Sequence, residues 1–521
     1  MPITEMLSRN ARMYPDEISL IEREPAEGLR REITWLEFEK QANKVAHALL
    51  ERGIKRGDRV ALLMTNCLEW LPVYFGILKS GALAVPLNFR YTATEIKKCL
   101  ETAGAKILVY GPEFIKRVAE IQNELSCIES FIFVGDNCPD YAENYVEFLA
   151  GSAAADPGIA IANTDHAALY FTSGTTGTPK PILLNHANLV SACITENRHH
   201  LQQHDDNFLC IPPLYHTGAK MHWFGSLIVG AKAVLLRGVD PRSILETVSE
   251  EQVTIVWLLV PWAQDILDAI ESKEVSLRDY RLEQWRLMHI GAQPVPPSLI
   301  IRWKKVFPNH IYDTNYGLSE STGPGCVHLG IENIHKVGAI GRPGFNWEAK
   351  IVDEQDKQVP RGKVGELIIR GPGVMQGYFN NPEATAKVLK NGWLYTGDMA
   401  RQDEDGFIYL VDRKKDVVIM GGENIYPVEI EEFLRAHADI KDAAVIGMPD
   451  RRLGEIPIAV VETKPGKILT EEMVAEFCKS LPRYKRPRRI FFEKVPRNPT
   501  GKIEKPKLRE KFCGDGIAQV V

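Results

Sequence analysis

Arg59-Val60-Ala61-Leu62-Leu63-Met64, then Leu71 to Leu78, then Ala82-Leu83-Ala84-Val85-Pro86-Leu87 are the stretches whose reading decides the fold. The first follows the turn Gly57-Asp58 and is apolar beyond its opening arginine, as a strand buried on both faces must be. The second reads as a helix, with Pro72 tolerable in a first turn and Gly81 as its stop. The third is again a buried strand. Strand, helix and strand in this order imply a βαβ unit on a mostly parallel sheet. Upstream, Phe38, Ala42, Val45 and Leu49 recur at helical spacing and Gly53 ends them. Downstream, Ala231–Val234, Val253–Leu259 and Arg286–Ile290 repeat the strand pattern.

At 521 residues the chain exceeds one ordinary core, so at least two domains are expected. Net charge is -5 with acids and bases well mixed, which excludes the basic surface of a nucleic-acid binder. The longest apolar run, Val253 to Trp262, is far short of a membrane span and contains Pro261. Arg9, Arg12, Asp16 and Glu17 follow Met1-Pro2-Ile3-Thr4-Glu5-Met6 too soon for a signal peptide. The nine scattered cysteines form no CxxC pair, and their odd number argues against a disulfide framework. A cytoplasmic protein in a reducing compartment is expected.

The pattern changes between residues 335 and 411. Glu348–Val352, Gly365–Arg370 and Gly406–Val411 are short strands split by turn signals, a small antiparallel β element. Asp412-Arg413-Lys414-Lys415-Asp416 reads as a polar linker, and a new α+β pattern follows. It comprises a helix from Pro427 to Leu434, strands at Ala443–Ile446 and Ile458–Glu462, and a helix through Met473, Phe477 and Leu481. A domain boundary is expected near Asp412.

Chemistry concentrates in Tyr170-Phe171-Thr172-Ser173-Gly174-Thr175-Thr176-Gly177-Thr178-Pro179-Lys180. Glycines let backbone N–H groups turn toward an anion, hydroxyls add donors, and the lysine supplies charge. The Walker A spacing is missing. A hydroxyl-rich surface turn is the usual fate of such compositions; the length of the run and the cation just beyond it weigh against that here.

This segment closely resembles the phosphate-binding signature of the adenylate-forming enzymes, which include acyl-CoA synthetases, peptide-synthetase adenylation domains and firefly-type luciferases. Five further segments resemble that family in its order: Asn315-Tyr316-Gly317-Leu318-Ser319-Glu320, Tyr395-Thr396-Gly397-Asp398, Asp412 to Asp416, Gly421-Gly422-Glu423-Asn424, and Asn498-Pro499-Thr500-Gly501-Lys502. The resemblance implies an α/β fold, with a large N-terminal domain of βαβ subdomains and a small β-barrel-like element over residues 1–411, holding the acid and ATP sites. It also implies a hinge at 412–416 and a smaller, mobile α+β domain over 417–521.

The implied activity is an acid–CoA ligase that joins a carboxylate to ATP as an acyl-adenylate and then passes the acyl group to coenzyme A. The first step brings an anion to a polyanion, so preorganised cations and donors at the α-phosphate are the main catalytic resource. Lys502 is expected to be the principal catalytic cation; losing one such donor commonly costs ~3 kcal/mol of barrier. Glu320, with Thr176, is expected to hold Mg2+, a hard ion that binds few protein oxygens. ATP is expected to meet Thr172, Ser173, Gly174, Thr175, Thr176, Gly177, Lys180, Asn315, Tyr316, Gly317 and Ser319. Asp398 and Arg413 are assigned to the ribose, and the turn Gly291-Ala292-Gln293 to the adenine. Gly421, Gly422 and Glu423 are expected along the coenzyme A arm, with Lys415 as the pivot.

His216, in Pro212-Pro213-Leu214-Tyr215-His216-Thr217-Gly218, resembles the acyl-pocket motif and is expected between the acyl and thiol sites. Lys220 either pairs with a polar group of the acid or snorkels to solvent. Trp223, Trp257, Trp262 and the Gly317 to Gly323 segment are expected to size the pocket, and their bulk hints at a medium-sized or cyclic acid from fatty or aromatic acid metabolism. The basic run Arg483 to Arg489 suits the phosphates of free coenzyme A. Two positions depart from the family: Pro181 stands where glycine is usual, and Asn185 where threonine or serine is. An enzyme loading a carrier-protein thiol, a luciferase-like oxidation and a non-catalytic nucleotide-binding scaffold are the competing readings. A homodimer is open to it; neither a nucleic-acid partner nor an integral membrane segment is expected.

Overall fold

Arg59–Leu63 lies between Leu83–Pro86 and Ile107–Tyr110 and runs parallel to both, as the opening βαβ pattern requires. The computed structural model describes residues 1–172, 179–291, 295–328, 335–421, 423–497 and 503–513. Its internal contacts divide the chain into two units, Met1–Ala349 with Ile369–Leu394 and Lys350–Ile368 with Tyr395–Val521. The expected boundary at Asp412 falls inside the second unit, at the end of the strand Ile408–Arg413.

The first unit holds two large sheets. One has eight strands, in the order Gly377–Tyr378, Pro181–Asn185, His166–Phe171, Leu83–Pro86, Arg59–Leu63, Ile107–Tyr110, Ser130–Phe133, Glu143–Asn144. The other has nine, with Ile311–Gly317, Leu287–Gly291, Ile255–Leu259, Asn207–Cys210 and Lys232–Leu236 at its centre. These central strands are parallel, and antiparallel pairs appear toward the edges.

Alternation along the strands sets three cores. Val60 and Leu62 of the first sheet, and Phe208, Ala233, Ile255 and Trp257 of the second, face one shared core with the helices Trp35–Glu51 and Trp70–Lys79. The intervening Ala61 and Leu63 face a second core under Ala93–Ala103. Leu209, Val234, Val256 and Leu258 face a third, under the helices Pro241–Glu250, Val260–Glu271 and Pro297–Val306. A strand of period 2 covered on both faces is continuously apolar, which is why these strands are legible as uniform runs.

A small five-stranded sheet occupies Glu348–Val352, Gly365–Arg370, Leu389–Lys390, Trp393–Gln402 and Ile408–Arg413. The second unit also holds a sheet built on the long hairpin Ile440–Asp450 and Gly454–Thr463, with Val418–Met420, Glu423–Ile425 and Ile490–Phe492. Its two faces are packed separately. Val445, Ala459 and Val461 face the helix Pro427–Arg435, while Ala444, Ile446, Ile458 and Val460 face Leu508 and Phe512 of Lys505–Cys513.

The run Asp412 to Asp416 is more ordered than its polar composition suggests. Asp412 accepts from the backbone N–H groups of Arg413 at 2.7 Å and Val428 at 2.9 Å, and Lys414–Asp416 forms one 3-10 turn. Among the described residues, no helix is long and apolar enough to cross a membrane.

The helices Trp35–Glu51 and Trp70–Lys79 approach so closely at Gly76 that an added Cβ would lie 2.4 Å from Val45 Cβ and 2.8 Å from the Ala42 carbonyl. One of these obstacles is backbone and cannot rotate away. Gly76→Ala is therefore expected to lower the unfolding free energy by about 1–3 kcal/mol, read from the urea midpoint at constant slope.

Candidate functional site

The glycine- and threonine-rich loop joins the antiparallel strands His166–Phe171 and Pro181–Asn185. Ser173, Gly174, Thr175, Thr176 and Gly177 lie outside the described residues, as do Ala292, Gln293, Gly422 and Lys502. The neck of the loop is described, and it is closed twice. Thr172 N–H donates to the Lys180 carbonyl at 3.0 Å, and Lys180 N–H donates to Thr172 Oγ1 at 3.3 Å.

Beside the neck stands a residue the sequence analysis did not single out. Tyr378, on the edge strand paired with Ile182, places its ring 5.3 Å from Lys180 Nζ and donates its hydroxyl to Glu320 Oε1 at 2.9 Å. Burial and the Glu320 carboxylate both push the Tyr378 hydroxyl above its ordinary pKa, so it remains a donor. The Glu320 carbonyl also accepts from Met375 N–H at 2.8 Å. A cation and a carboxylate are thus fixed on either side of one phenol. The signal for Tyr378 was too small to find: two paired residues on an edge strand, almost 200 positions beyond the loop they touch.

The departures at 181 and 185 have local explanations. Pro181 opens its strand, where no N–H is called for by its Phe171 partner's side of the ladder, and its carbonyl still accepts from Phe379 N–H at 2.8 Å. Asn185 caps the helix His186–His200: its side chain accepts from Asn188 N–H at 2.9 Å, and Asn188 returns the bond at 2.9 Å. Any short side chain carrying an oxygen can do this.

Gly291 ends the strand Leu287–Gly291, and Asn315, Tyr316 and Gly317 end Ile311–Gly317, with Ser319 and Glu320 in the 3-10 turn that follows. Asn315 donates to Glu196 Oε1 at 3.0 Å, so its amide is tied into the interior. His216 is a helix cap. Its Nδ1 accepts from Gly218 N–H at 3.1 Å at the start of Thr217–Val229, which leaves the ring proton on Nε2.

Lys220 does not snorkel. It is 1% exposed, with Nζ over the rings of Tyr170 at 3.8 Å, Tyr74 at 4.4 Å and Trp70 at 5.1 Å, and without a hydrogen-bond partner. Burial lowers its pKa well below the lysine range. Trp223 is also core, wedged between Phe38 and Phe75. Trp257 instead stacks on His222, ring centroids 4.3 Å apart.

His222 leads to a group that the sequence analysis missed: His199, His200, His289, Glu196 and Asp313. All but His199 are classed as buried, and its side chain is only 2% exposed. Asp313 takes His199 on one oxygen, and His200 Nε2 at 2.8 Å and His289 Nδ1 at 2.6 Å on the other. Burial would raise Asp313's pKa, but the histidines hold it well below the carboxylate range. Burial pushes Glu196 up to about 7 and lowers His200, His222 and His289; against the same burial, Asp313 raises His199. The one available signal was Glu196 and His200 at i and i+4 of a helix.

In the second unit, Asp398 and Arg413 sit opposite each other on antiparallel strands, and Arg413 Nε lies 3.1 Å from Asp398 Oδ1. The strand Trp393–Gln402 is braced here: Thr396 Oγ1 accepts from Asp398 N–H at 3.1 Å and donates to the Leu367 carbonyl at 2.6 Å, while Gly397 N–H reaches Glu366. Lys415 is exposed, yet partial desolvation lowers its pKa. Gly421 adopts φ +60 in the turn between Val418–Met420 and Glu423–Ile425, where Glu423 pairs with Met420. The bridge between Arg497 and Ile503 closes the neck of the segment that contains Lys502. Within Arg483 to Arg489, Lys485 is spent on Glu429 and Arg486 on two backbone carbonyls, which leaves Arg483 and Arg488 exposed.

Two family models match the chain: AMP-binding enzyme over residues 7–379 and AMP-binding enzyme C-terminal domain over 429–502. Feruloyl-CoA synthase of Amycolatopsis sp is 33% identical over 488 residues, covering 92% of this chain and 94% of the relative. A Mycobacterium tuberculosis fatty acyl CoA synthetase structure aligns at TM-score 0.78 and 30% identity, over 98% of each chain. The anthranilate CoA ligase AuaEII, in complex with anthranoyl-AMP, aligns at TM-score 0.86 and 26% identity, over 98% of this chain and 97% of that one.

Lys220 supplies the test of this interior. Between its depressed pKa and the ordinary lysine value, unfolding takes up a proton, so the group costs stability in full below that window and the cost fades as pH rises through it. Lys220→Met is expected to raise the unfolding free energy at neutral pH by about 1–3 kcal/mol and to flatten its alkaline rise, both read from urea unfolding across pH.

Proposed function

Since this chain belongs to the AMP-binding enzyme family of adenylate-forming proteins, we propose that the geometry around Lys180 and Glu320 serves the first of two ligation steps. The protein is an ATP-dependent carboxylic acid–CoA ligase, AMP-forming. In the first step a carboxylate oxygen bonds to the α-phosphorus of ATP, the bond to the bridging oxygen breaks, and pyrophosphate leaves. In the second the thiol sulfur bonds to the acyl carbon, its proton is lost, and AMP leaves.

The observation that carries this assignment is the pairing of a cation and a carboxylate about Tyr378 at the neck of the loop. Lys180 supplies charge to a phosphate. Glu320 has one oxygen bonded to Tyr378 and offers hard carboxylate oxygen, which fits Mg2+; Thr176 is its proposed second ligand. Bound there, Mg2+ would neutralise phosphate charge. Backbone and hydroxyl donors of residues 172–177 take the phosphates, with Asn315, Tyr316, Gly317 and Ser319 at the neighbouring strand end and Gly291, Ala292 and Gln293 at the base. Asp398, braced by Arg413, takes the ribose hydroxyls.

Lys502 is the proposed cation for the joining of the two anions, since a donor at the developing charge is worth most in a preorganised site. Lys415 is the proposed pivot of a hinge at 412–416, and Gly421, Gly422 and Glu423 the proposed path of the coenzyme A arm. Arg483 and Arg488 remain for its phosphates. His216, capping its helix, presents Nε2–H toward the acyl or thiol group. Trp257 stacked on His222, with Gly218 against the Trp257 edge, supports an acid with a flat or cyclic body. Feruloyl and anthranoyl groups, named for the relatives, are of that kind.

The full chain incubated with ATP, Mg2+ and a panel of aromatic, alicyclic and fatty acids should exchange pyrophosphate without thiol and release AMP only with coenzyme A. AMP release with a carrier protein but not with coenzyme A would move the assignment to carrier loading. Lys502→Ala should lose adenylation by a factor of about 100–1000 while retaining most thiolysis of a supplied acyl-adenylate. Equal loss of both steps refutes its role.

A further inference from the structure

Four buried side chains of the first unit each keep a lone-pair atom without a hydrogen-bond partner among the described residues: His200 Nδ1, His222 Nε2, His289 Nε2 and Glu196 Oε2. None is more than 1% exposed. Buried polar atoms are paired in the great majority of cases, so four on neighbouring side chains call for an occupant.

The other nitrogen of each ring fixes where its proton sits. His222 Nδ1 is 2.7 Å from the Gly218 carbonyl, which can only accept, so Nδ1 carries the hydrogen. His289 Nδ1 and His200 Nε2 are 2.6 Å and 2.8 Å from the same oxygen of Asp313 and donate to it. Each ring is therefore held by an acceptor at one nitrogen and offers a bare lone pair at the other. This is how a carboxylate or carbonyl orients a metal-binding imidazole. The three histidines can bring ligand atoms within 4.8 Å of one another, and Glu196 Oε2 lies 3.6 Å from both His200 Nδ1 and His222 Nε2. Glu196's other oxygen is engaged by Asn315, and His199 is engaged by Asp313.

We propose that His200, His222 and His289, with Glu196 beside them, form an internal binding site for a divalent transition-metal ion of the zinc class. The three free imidazole nitrogens are acceptors only, so a carboxylate or phosphate would find no donor among them. A cation beside Glu196 Oε2 instead meets the lone pairs of His200 Nδ1 and His222 Nε2, each 3.6 Å from that oxygen, with His289 the third ring of the cluster. Imidazole nitrogens with a single carboxylate select zinc, cobalt or nickel over magnesium or calcium. Tetrahedral zinc sets its nitrogen ligands about 3.3 Å apart, so loading draws the rings inward from their present spacing. The ligands come from the helices His186–His200 and Thr217–Val229 and the strand Leu287–Gly291, so the ion would clasp three elements, of which the first and third already meet through Asp313. Its proposed ligands include neither Lys180 nor Glu320, and it does not depend on the ligase assignment.

The test uses the full chain, stripped with a chelator and free of ATP, titrated with Co2+ and then Zn2+. One equivalent of cobalt per chain, with the visible absorption of a low-coordinate nitrogen–oxygen site that zinc bleaches, is the expected result. His222→Ala and His289→Ala, checked by circular dichroism, should each lower uptake at least tenfold. X-ray absorption at the zinc edge of the unsubstituted protein should show imidazole scattering and no sulfur, a readout that requires no variant to fold. A stripped chain that binds neither metal overturns the proposal, as does uptake undiminished in folded variants or a zinc shell containing thiolate.

Discussion

Val60 and Leu62 point into one core while Ala61 and Leu63, one residue away, point into another, and the same division runs through Leu209, Ala233, Val234, Ile255 and Val256 of the second large sheet. Strands closed on both faces leave little room for polar groups along their length, and His289 and Asp313, which do lie there, are bonded to each other. Chemistry is driven to the ends, where the chain must leave the sheet. His166–Phe171 ends just before the glycine- and threonine-rich segment, Leu287–Gly291 just before residue 292, and Ile311–Gly317 just before Ser319 and Glu320. All three are parallel-sheet strands leaving in the same sense within their own sheets, and each delivers a motif at its C-terminal end.

The same constraint explains what could be read from the residues. Uniform apolar runs such as 59–64 and 253–259 are the mark of double burial, and each contained a strand; the strands proved shorter by one or two residues, because apolar side chains in the adjoining turns are buried without joining the ladder. The opposite error occurred in the second unit. Only Ala443–Ile446 and Ile458–Glu462 stood out, yet the hairpin runs from Ile440 to Thr463. Its ends carry Lys441, Asp442 and Glu455, and polar pairs such as Lys441 with Glu462 extend the ladder where no hydrophobic signal exists. Asp412 is a similar case, since a side chain that bonds two backbone N–H groups orders a segment whose composition reads as linker.

Sites were legible where their residues are adjacent in sequence and opaque where the fold assembles them. Thr396, Gly397 and Asp398 form one braced stretch of the strand Trp393–Gln402, and the motif lies wholly within it. Tyr378 joins Lys180 and Glu320 only because the Gly377–Tyr378 strand pairs with Ile182 and Leu183. Glu196, His200, His222, His289 and Asp313 span two helices and two strands, and periodicity links only Glu196 with His200. Lys220 shows the limit from another side: a lysine four residues from a histidine cap could face either way, and three aromatic rings on other elements decided it.

Not all buried charge in the first unit has the same meaning. Lys79 is closed off by Glu39 at 2.7 Å and Ser8 at 3.1 Å, and Asp313 by its histidines, so each has its desolvation offset by partners. Lys220, His222, His289 and Glu196 keep unsatisfied atoms, and replacing such groups by apolar ones of similar volume commonly stabilises a protein. These groups lie on the helices that follow the loop strand and His216 and on the strand that ends at Gly291, beside the segments where the ligand-binding motifs begin. A core built for stability alone would satisfy or remove them. Their concentration at this end of the sheets is the pattern expected when an interior is shaped by what it must hold, and stability is surrendered locally to keep those atoms available.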